Sequence, residues 1–547
     1  MPRLVRGTSR GTVLVRIPVT SKGMGGTGMP VAPVEAPVPA WYPRGWRSRQ
    51  PEESMTSTRS VLARTVRGAG WVIAWRLGMR ILGLVSTLIL VRLLVPSDFG
   101  LLALAASFAQ TVDGMMTLGT EEAVIRQPAP DRNVYNTAWT LNVIRGLTVT
   151  AIVLLSAFPV ARFFGDQRLV LVLLVIALPP LLDGLSNIGT VDFRREMQFQ
   201  KEFAIMVVPK FFGIAATLTA AVIHPSYTAL LYGIVTNQTL RSAMSYVMHP
   251  FRPRFSLRAW RGLIGYSLWT WLLSLAILLR NRSDTLLLGG LTNSTSVGVY
   301  SVGSEVASLP TSELVEPLCR ASFAGFAAAN REGVSVTETF LRLMSSAVLV
   351  TLPAGVGLAL VAAPLVRLAF GPGWDAAVPV LQVLGLAGIM TVFGQISLHL
   401  MSAHSLLGRL TFVALAGAAL RIVLLLLLIP GFGVAGAAWA AAIATCADQG
   451  ATLVMALRHL KVGAHAFVRH IVRPVLAAAA MACGVVAMAL WRRPAPDGDI
   501  VWPLVAEVAA GAIVYIGVLL VTWLAAGRPD GPEADAVRAI RRVFARG

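Results

Sequence analysis

Two arginines and an aspartate lie inside an apolar segment that is long enough to cross a bilayer. The segment spans 263–291 and contains Arg280, Arg282 and Asp284 within the run RNRSD before the apolar residues resume. Each charge at the centre of a membrane helix costs about 2.5–3.5 kcal/mol on insertion scales, so such a cluster must face protein, water or a ligand. Asp284 is four residues from Arg280 and is placed to neutralise it, which leaves Arg282 as the freer charge. The cluster is therefore predicted to bind an anionic group, either at a central site or at a gate on the exit side.

A second pair of arginines lies in the first predicted membrane helix. Arg76 and Arg80 are four residues apart, so they share one helix face and repel each other. They require an anion, which is either a carboxylate from a neighbouring helix or a ligand phosphate that the guanidinium fork binds bidentately. The alternative is an anchor at the membrane surface, because Trp71 and Trp75 precede the pair and Arg76 can reach the headgroups.

Three acidic residues and one lysine complete the set of candidate site residues. Lys210 lies midway along the fifth predicted span, where it either pairs with Asp183 or Asp113 or lines a cavity. Glu305 has no i,i+4 partner, and with Asp113 and Asp284 it is a candidate for ion coupling or gating. No nucleophile–base set or metal-ligand spacing is apparent, so we predict no enzyme, no metal site and no cofactor.

The composition is that of a polytopic membrane protein. The chain of 547 residues is 55% hydrophobic and only 14% charged, with a mean hydropathy of +0.69. Its net charge of +20 resides in loops and tails between apolar segments, as the positive-inside rule requires. We therefore interpret the basic residues as determinants of membrane topology, and we expect no nucleic-acid partner.

Apolar segments of about 20 residues recur along the whole chain after residue 58 and predict an all-α fold with about fourteen membrane helices. The predicted spans are 69–93, 100–119, 138–160, 168–190, 203–223, 226–247, 263–287, 297–326, 340–369, 377–402, 407–429, 434–457, 472–490 and 502–525. Loops after even-numbered spans carry about twice as many Lys and Arg residues as loops after odd-numbered spans, which predicts that both termini are cytoplasmic.

Two segments after the first and seventh spans resemble each other, with Gly100 matching Gly298 at an offset of 198 residues. This repeat predicts two six-helix lobes followed by two additional C-terminal helices. The predicted domains are a disordered basic tail at 1–58, an N-lobe at 59–249, a cytoplasmic linker at 250–261, a C-lobe at 262–460, helices thirteen and fourteen at 461–526 and a basic cytoplasmic tail at 527–547. Met55 is an alternative start, because a compact basic stretch leads from it into the first span.

Four phrases carry a resemblance to a known family: VPSDFGLLALA, FSLRAWRGLIGYSLW, LLRNRSDTLLLGG and VGVYSVGSEVASLPTSELVEPLCRASF. Over about residues 59 to 470 the chain is similar to the bacterial oligosaccharide flippases of the multidrug/oligosaccharidyl-lipid/polysaccharide exporter superfamily. The resemblance implies a cell-membrane protein that moves a polyprenyl-pyrophosphate-linked oligosaccharide from the cytoplasmic to the outer leaflet by alternating access, for surface polysaccharide such as exopolysaccharide, capsule or O-antigen.

For such a substrate, the basic residues inside the predicted spans are the expected pyrophosphate-binding residues of the cavity: Arg76, Arg80, Lys210, Arg280 and Arg282. The expected partners are the lipid-linked oligosaccharide, membrane lipids, a polysaccharide polymerase and export machinery. A cation-coupled multidrug antiporter of the same superfamily is the alternative, although acidic residues would suit its cavity better than arginines do. A membrane-embedded glycosyl- or acyltransferase is disfavoured, because the loops between spans are short and contain no catalytic set.

Overall fold

The described part of the chain is helical, apart from turns, short loops and an extended linker. The computed structural model describes residues 78–79, 82–117, 119–127, 130–196, 198–263, 268–311, 335–403, 407–491, 501–529, 531–535, 538 and 541. No β-strand occurs within these ranges. The prediction of an all-α polytopic membrane protein is confirmed.

The helices that coincide with the predicted spans are numbered here in chain order. They are α1 Leu82–Leu93, α2 Pro96–Met115, α3 Arg132–Phe163, α4 Arg168–Leu185, α5 Phe199–Ile223, α6 Tyr227–Met248, α7 Leu268–Leu291, α8 294–311, α9 Val336–Leu360, α10 Ala377–Ala403, α11 and α12 as the two parts of Leu407–His459, α13 Ala464–Trp491 and α14 Val501–Ala525. Eight helices in the described ranges are long and apolar enough to cross a membrane. That the chain crosses it about fourteen times remains a prediction.

Helix boundaries differ from the apolar spans where polar residues or glycine intervene. α11 and α12 are nearly continuous and break only at Gly433, whose φ of 54° is a conformation that favours glycine. The predicted span 340–369 is divided into α9 and a short helix, Ala362–Ala369. α13 begins at Ala464, eight residues before the predicted start at 472. The prediction placed the start too late, because the first turns of α13 carry exposed polar side chains and an apolar pattern does not detect them.

At one end of the bundle, α1–α6 and α7–α12 share a single apolar core. Its buried members include Leu101, Leu104, Ala157, Leu173 and Leu231 from the first group, and Leu288, Tyr300, Val380, Leu425 and Ala437 from the second. At this end α1 contacts the short helix Ala362–Ala369, and the loop after α3 contacts the start of α8. We call it the closed end.

Two glycines allow the backbones of α2 and α8 to touch at the closed end. A Cβ placed on Gly100 would lie 1.7 Å from the carbonyl oxygen of Ser294, and a Cβ on Gly298 would lie 1.7 Å from the carbonyl oxygen of Pro96. The offset that matches Gly100 with Gly298 also matches Pro96 with Ser294. The contact is therefore reciprocal, as expected where two repeats meet about a two-fold axis.

Polar contacts also hold the closed end together. Arg92 of α1 donates hydrogen bonds to the carbonyl oxygens of Leu368 and Ala369, which end the short helix before α10. In the loop after α3, Asp166 accepts a hydrogen bond from the Ser294 hydroxyl at 3.3 Å. Burial raises the pKa of Asp166, but hydrogen bonds from Arg168 outweigh this effect and lower it overall, so the carboxylate remains ionised at neutral pH.

At the opposite end, each group of helices has its own core. Residues of α3 and the loops after α2, α4 and α6 form one core, centred on Tyr135, Trp139 and Phe251. Residues of α9–α13 form another, centred on Phe340 and Leu400. Among the described residues, the two groups therefore share a core at the closed end and have separate cores at the other, where Gly114 of α2 still lies against Leu278 of α7.

The predicted linker at 250–261 is extended up to residue 257, continues into the short helix Trp260–Leu263, and lies against the start of α3. The backbone amide of Arg254 donates to Asn136 Oδ1 at 2.9 Å, and that of Ser256 donates to Thr140 Oγ1 at 3.0 Å. These side chains satisfy amides that an extended segment would otherwise leave to water. The linker thus packs with the first group of helices.

Candidate functional site

A buried ion pair links α7 to α11. Asp284 accepts hydrogen bonds from Arg421 Nε at 2.6 Å and Nη2 at 2.5 Å, and a third from the Tyr300 hydroxyl at 2.6 Å. The Arg421 and Asp284 side chains are only 12% and 7% exposed. The sequence-based expectation that Asp284 neutralises Arg280 is wrong, because a bidentate guanidinium from another helix satisfies this carboxylate more completely than an i,i+4 neighbour can.

Arg280 has a different carboxylate partner, on α12. Its Nη1 atom lies 2.5 Å from Asp448 Oδ2, which also accepts a hydrogen bond from Gln449 Nε2 at 2.9 Å. Asp448 is buried, and a Cβ on Gly417 of α11 would lie 2.8 Å from its Cβ. The absence of a side chain at Gly417 therefore leaves room for this pair.

Arg282 is the arginine of α7 that no described carboxylate neutralises. Its Nη2 donates to Gln110 Oε1 on α2, so the contact joins the two groups of helices. It forms no ion pair with any residue that the structure describes, and its Nε is buried without a hydrogen-bond partner there. A buried donor without a partner has an unfavourable free energy, which an anionic or carbonyl oxygen would relieve.

In the first group of helices, one arginine forms ion pairs with both of the aspartates that were predicted as possible partners of Lys210. Arg145 of α3 lies 2.7 Å from Asp113 of α2 and 3.0 Å from Asp183 of α4. The two carboxylates that were considered as partners of Lys210 thus both bind Arg145. Lys210 lies beside α1, since a Cβ on Gly83 would be 3.9 Å from its Nζ. Together, Arg145, Asp113 and Asp183 have a formal net charge of −1, and the two aspartates are partly exposed.

A polar stripe runs along α8. Ser301, Ser304, Glu305 and Ser308 share one helix face, whereas Val302 and its neighbours on the other face are buried. Glu305 is exposed and forms no ion pair with a residue in the described ranges. At membrane depth, an exposed polar stripe requires water or a polar ligand beside it. Arg76 and Arg80 lie outside the described residues.

Sequence reasoning missed three members of this site: Arg145, Arg421 and Gln110. The two arginines could have been found, because each is a single charge inside an otherwise apolar span and the cost of burying it implies a partner. Gln110 could not, because a lone amide in a membrane helix has the same pattern as an ordinary helix-packing contact.

The fold and the site together define a class of protein. Two groups of helices meet at one end, and among the described residues α7 carries two paired charges and one arginine without an ion pair. These features define an all-helical, polytopic membrane protein with charged groups inside its helix bundle.

The chain belongs to the family described as "Polysaccharide biosynthesis protein", which matches residues 89–379, more than half of the chain. It is 24% identical over 340 residues to the lipopolysaccharide biosynthesis protein WzxC of Escherichia coli K12, which covers 61% of this chain and 69% of that protein. It is 23% identical over 338 residues to the succinoglycan biosynthesis transport protein ExoT of Rhizobium meliloti, covering 61% and 68%.

Two solved structures share the fold. The lipid II flippase MurJ in an inward closed conformation superimposes with a TM-score of 0.67 at 14% identity, covering 83% of this chain and 99% of that one. A multidrug resistance MATE family transporter in an inward-facing conformation gives a TM-score of 0.58 at 14% identity, covering 70% and 94%. Both are similar to this chain in fold.

Proposed function

We propose that this protein moves a polyprenyl-pyrophosphate-linked oligosaccharide across the membrane, as a step in the biosynthesis of a surface polysaccharide. The headgroup enters between α1–α6 and α7–α12, which act as two lobes, while the polyprenyl chain stays in lipid. Rocking of one lobe against the other then opens the closed end. The protein transports this substrate and does not transform it chemically.

The environment of Arg282 is the observation that supports this proposal. Around it, Arg280 and Arg421 are each neutralised by an aspartate. Arg282 reaches across the lobes to Gln110, and its buried Nε has no hydrogen-bond partner among the described residues. A pyrophosphate supplies the charge and the acceptor oxygens that this arginine lacks. We propose that Lys210, Arg76 and Arg80 contribute further positive charge, and that Arg280 positions α7 through Asp448.

The proposed setting is the bacterial inner membrane, with both termini in the cytoplasm. The closed end then faces outward and the separately packed end faces inward, which corresponds to the state that loads substrate. Membrane lipids surround the protein, and a polysaccharide polymerase and export machinery would use the translocated product.

Arg282→Ala is expected to slow translocation about 10- to 100-fold per molecule, the range for loss of a charge-assisted hydrogen bond. The measurement uses purified protein in liposomes and follows the transbilayer movement of a fluorescent polyprenyl-pyrophosphate glycan. Arg469→Ala, an exposed arginine near the start of α13, is the matched control and should retain the wild-type rate. A wild-type rate for Arg282→Ala would overturn the proposed role, and a wild-type protein that does not accelerate movement would overturn the function.

The cation-coupled antiporter remains as a second candidate because of the exposed carboxylate of Glu305. It has no cationic partner in the described ranges, so it is open to a coupling cation, whereas Arg421 already neutralises Asp284. The same position also suits a coupling role within the proposed flippase.

If Glu305 couples transport to protons, Glu305→Gln should abolish the dependence of the rate on an imposed pH gradient while preserving movement without a gradient. The assay is glycan-lipid movement in liposomes at equal and unequal pH. Glu338→Gln, which removes an exposed i,i+4 pair with Arg342, is the control. Gradient dependence that survives in Glu305→Gln would exclude this residue. Cation-driven drug exchange without glycan movement would favour the antiporter.

A further inference from the structure

A cavity of about 510 Å³ lies among α10, α11 and α12, at the end of the bundle opposite the closed end. It shares no lining residue with the interior charges described above. The lining residues combine basic and apolar side chains: Met401, Arg409, Ala451, Val454, Met455, Arg458 and His459. This described lining contains no carboxylate.

The α12 side of the cavity is graded from apolar to basic. Ala451, Val454, Met455 and Arg458 occupy i, i+3, i+4 and i+7 positions, so they form one stripe along the helix. Val454 is 46% exposed, and Arg458 lies in the last turn of the helix. The stripe fits a ligand with an apolar chain below and an anionic group at the surface.

The two arginines of the cavity have no carboxylate partner among the described residues. Both Arg409 and Arg458 are exposed, and neither forms an ion pair with a residue in the described part of the chain. Arg458 complements the partial negative charge at the end of α12. Arg409 lies in the first turn of α11, where the helix dipole disfavours a cation, so the dipole does not account for it. An anion held between the two side chains accounts for both.

We propose that this cavity binds the phosphate headgroup of an anionic phospholipid, with an acyl chain along the stripe of α12. Basic residues at the membrane surface attract anionic lipids, and the open apolar stripe gives the chain direct access from the bilayer. The site is peripheral to the transport pathway, and its occupancy does not depend on which substrate the protein carries. Bound lipid holds the α10–α11 hairpin against α12.

The test compares lipid binding by purified full-length protein in detergent. Native mass spectrometry measures retention of phosphatidylglycerol and of phosphatidylethanolamine, for the wild type and for the double variant Arg409→Ala/Arg458→Ala. The control, Arg258→Ala/Arg469→Ala, removes the same charge from exposed positions outside the cavity. The wild type should prefer phosphatidylglycerol, and the cavity variant should bind it about tenfold or more weakly than the control does.

Two results would overturn the proposal. One is equal retention of phosphatidylglycerol by the cavity variant and the control. The other would be seen with polyprenyl pyrophosphate as the probe. If the cavity variant lost binding of that lipid but bound phosphatidylglycerol as the control does, the cavity would be a site for the substrate lipid. Glycan-lipid movement in phosphatidylglycerol-free liposomes is measured separately, so failure of the proposed function is distinguishable from failure of this site.

Discussion

Arg421→Leu is expected to destabilise the protein by about 3–5 kcal/mol, the range for breaking a buried ion pair by removing one partner. Asp284 would lose its cationic partner while buried, and among the described residues the Tyr300 hydroxyl would be its remaining hydrogen-bond donor. The amount of folded protein in the membrane should fall several-fold, because a loss of this size shifts the folded population substantially. The measurements are membrane abundance and thermal unfolding in detergent.

A second substitution separates lost charge balance from lost packing. In Arg421→Leu/Asp284→Asn, the site is neutral and the amide oxygen still accepts from Tyr300, so at least half of the lost stability should return. Arg342→Leu breaks an exposed pair with Glu338 and should cost less than about 1 kcal/mol. If the double variant is no more stable than Arg421→Leu alone, the uncompensated charge is not the cause.

Gly100→Ala is expected to prevent the closed end from closing and to abolish transport. The added Cβ would lie 1.7 Å from the Ser294 carbonyl oxygen and 3.0 Å from the Gly298 amide nitrogen. Both atoms are backbone, so no side chain can rotate away to relieve the clash. The lobes must separate at this end, and Gly298→Ala should have the same effect through the carbonyl oxygen of Pro96.

Accessibility of the shared core measures this opening. With the native cysteines replaced by alanine, Leu104→Cys should react slowly with a membrane-impermeant maleimide, because Leu104 is buried. Adding Gly100→Ala should make it react at least about tenfold faster, as expected when a conformational equilibrium shifts by more than about 1.4 kcal/mol. Gly357→Ala, a helical glycine with no atom within 4 Å of its Cβ position, is the control. An unchanged labelling rate would contradict the reciprocal contact as the determinant of closure.

Much of the architecture follows from the sequence through a single physical constraint. Backbone amides and carbonyls inside a bilayer must be paired, so long apolar segments are helical wherever they occur. This is why the all-α membrane class was predictable from composition, and why helices lie at the predicted spans in the described ranges. Boundaries such as the early start of α13 were not predictable, since a helix can extend beyond its apolar stretch.

The sequence also identified the charged segment of α7 and the matched glycines, Gly100 and Gly298. The cost of burying a charge marks Arg280, Arg282 and Asp284 as functional or paired residues, and the repeat places the two glycines in equivalent positions. Only the tertiary structure decided which partner each charge has. Arg280 binds Asp448, Asp284 binds Arg421, and Arg282 remains unneutralised among the described residues. These partners come from helices far apart in sequence, and pairing depends on distances of a few ångströms that local spacing does not determine.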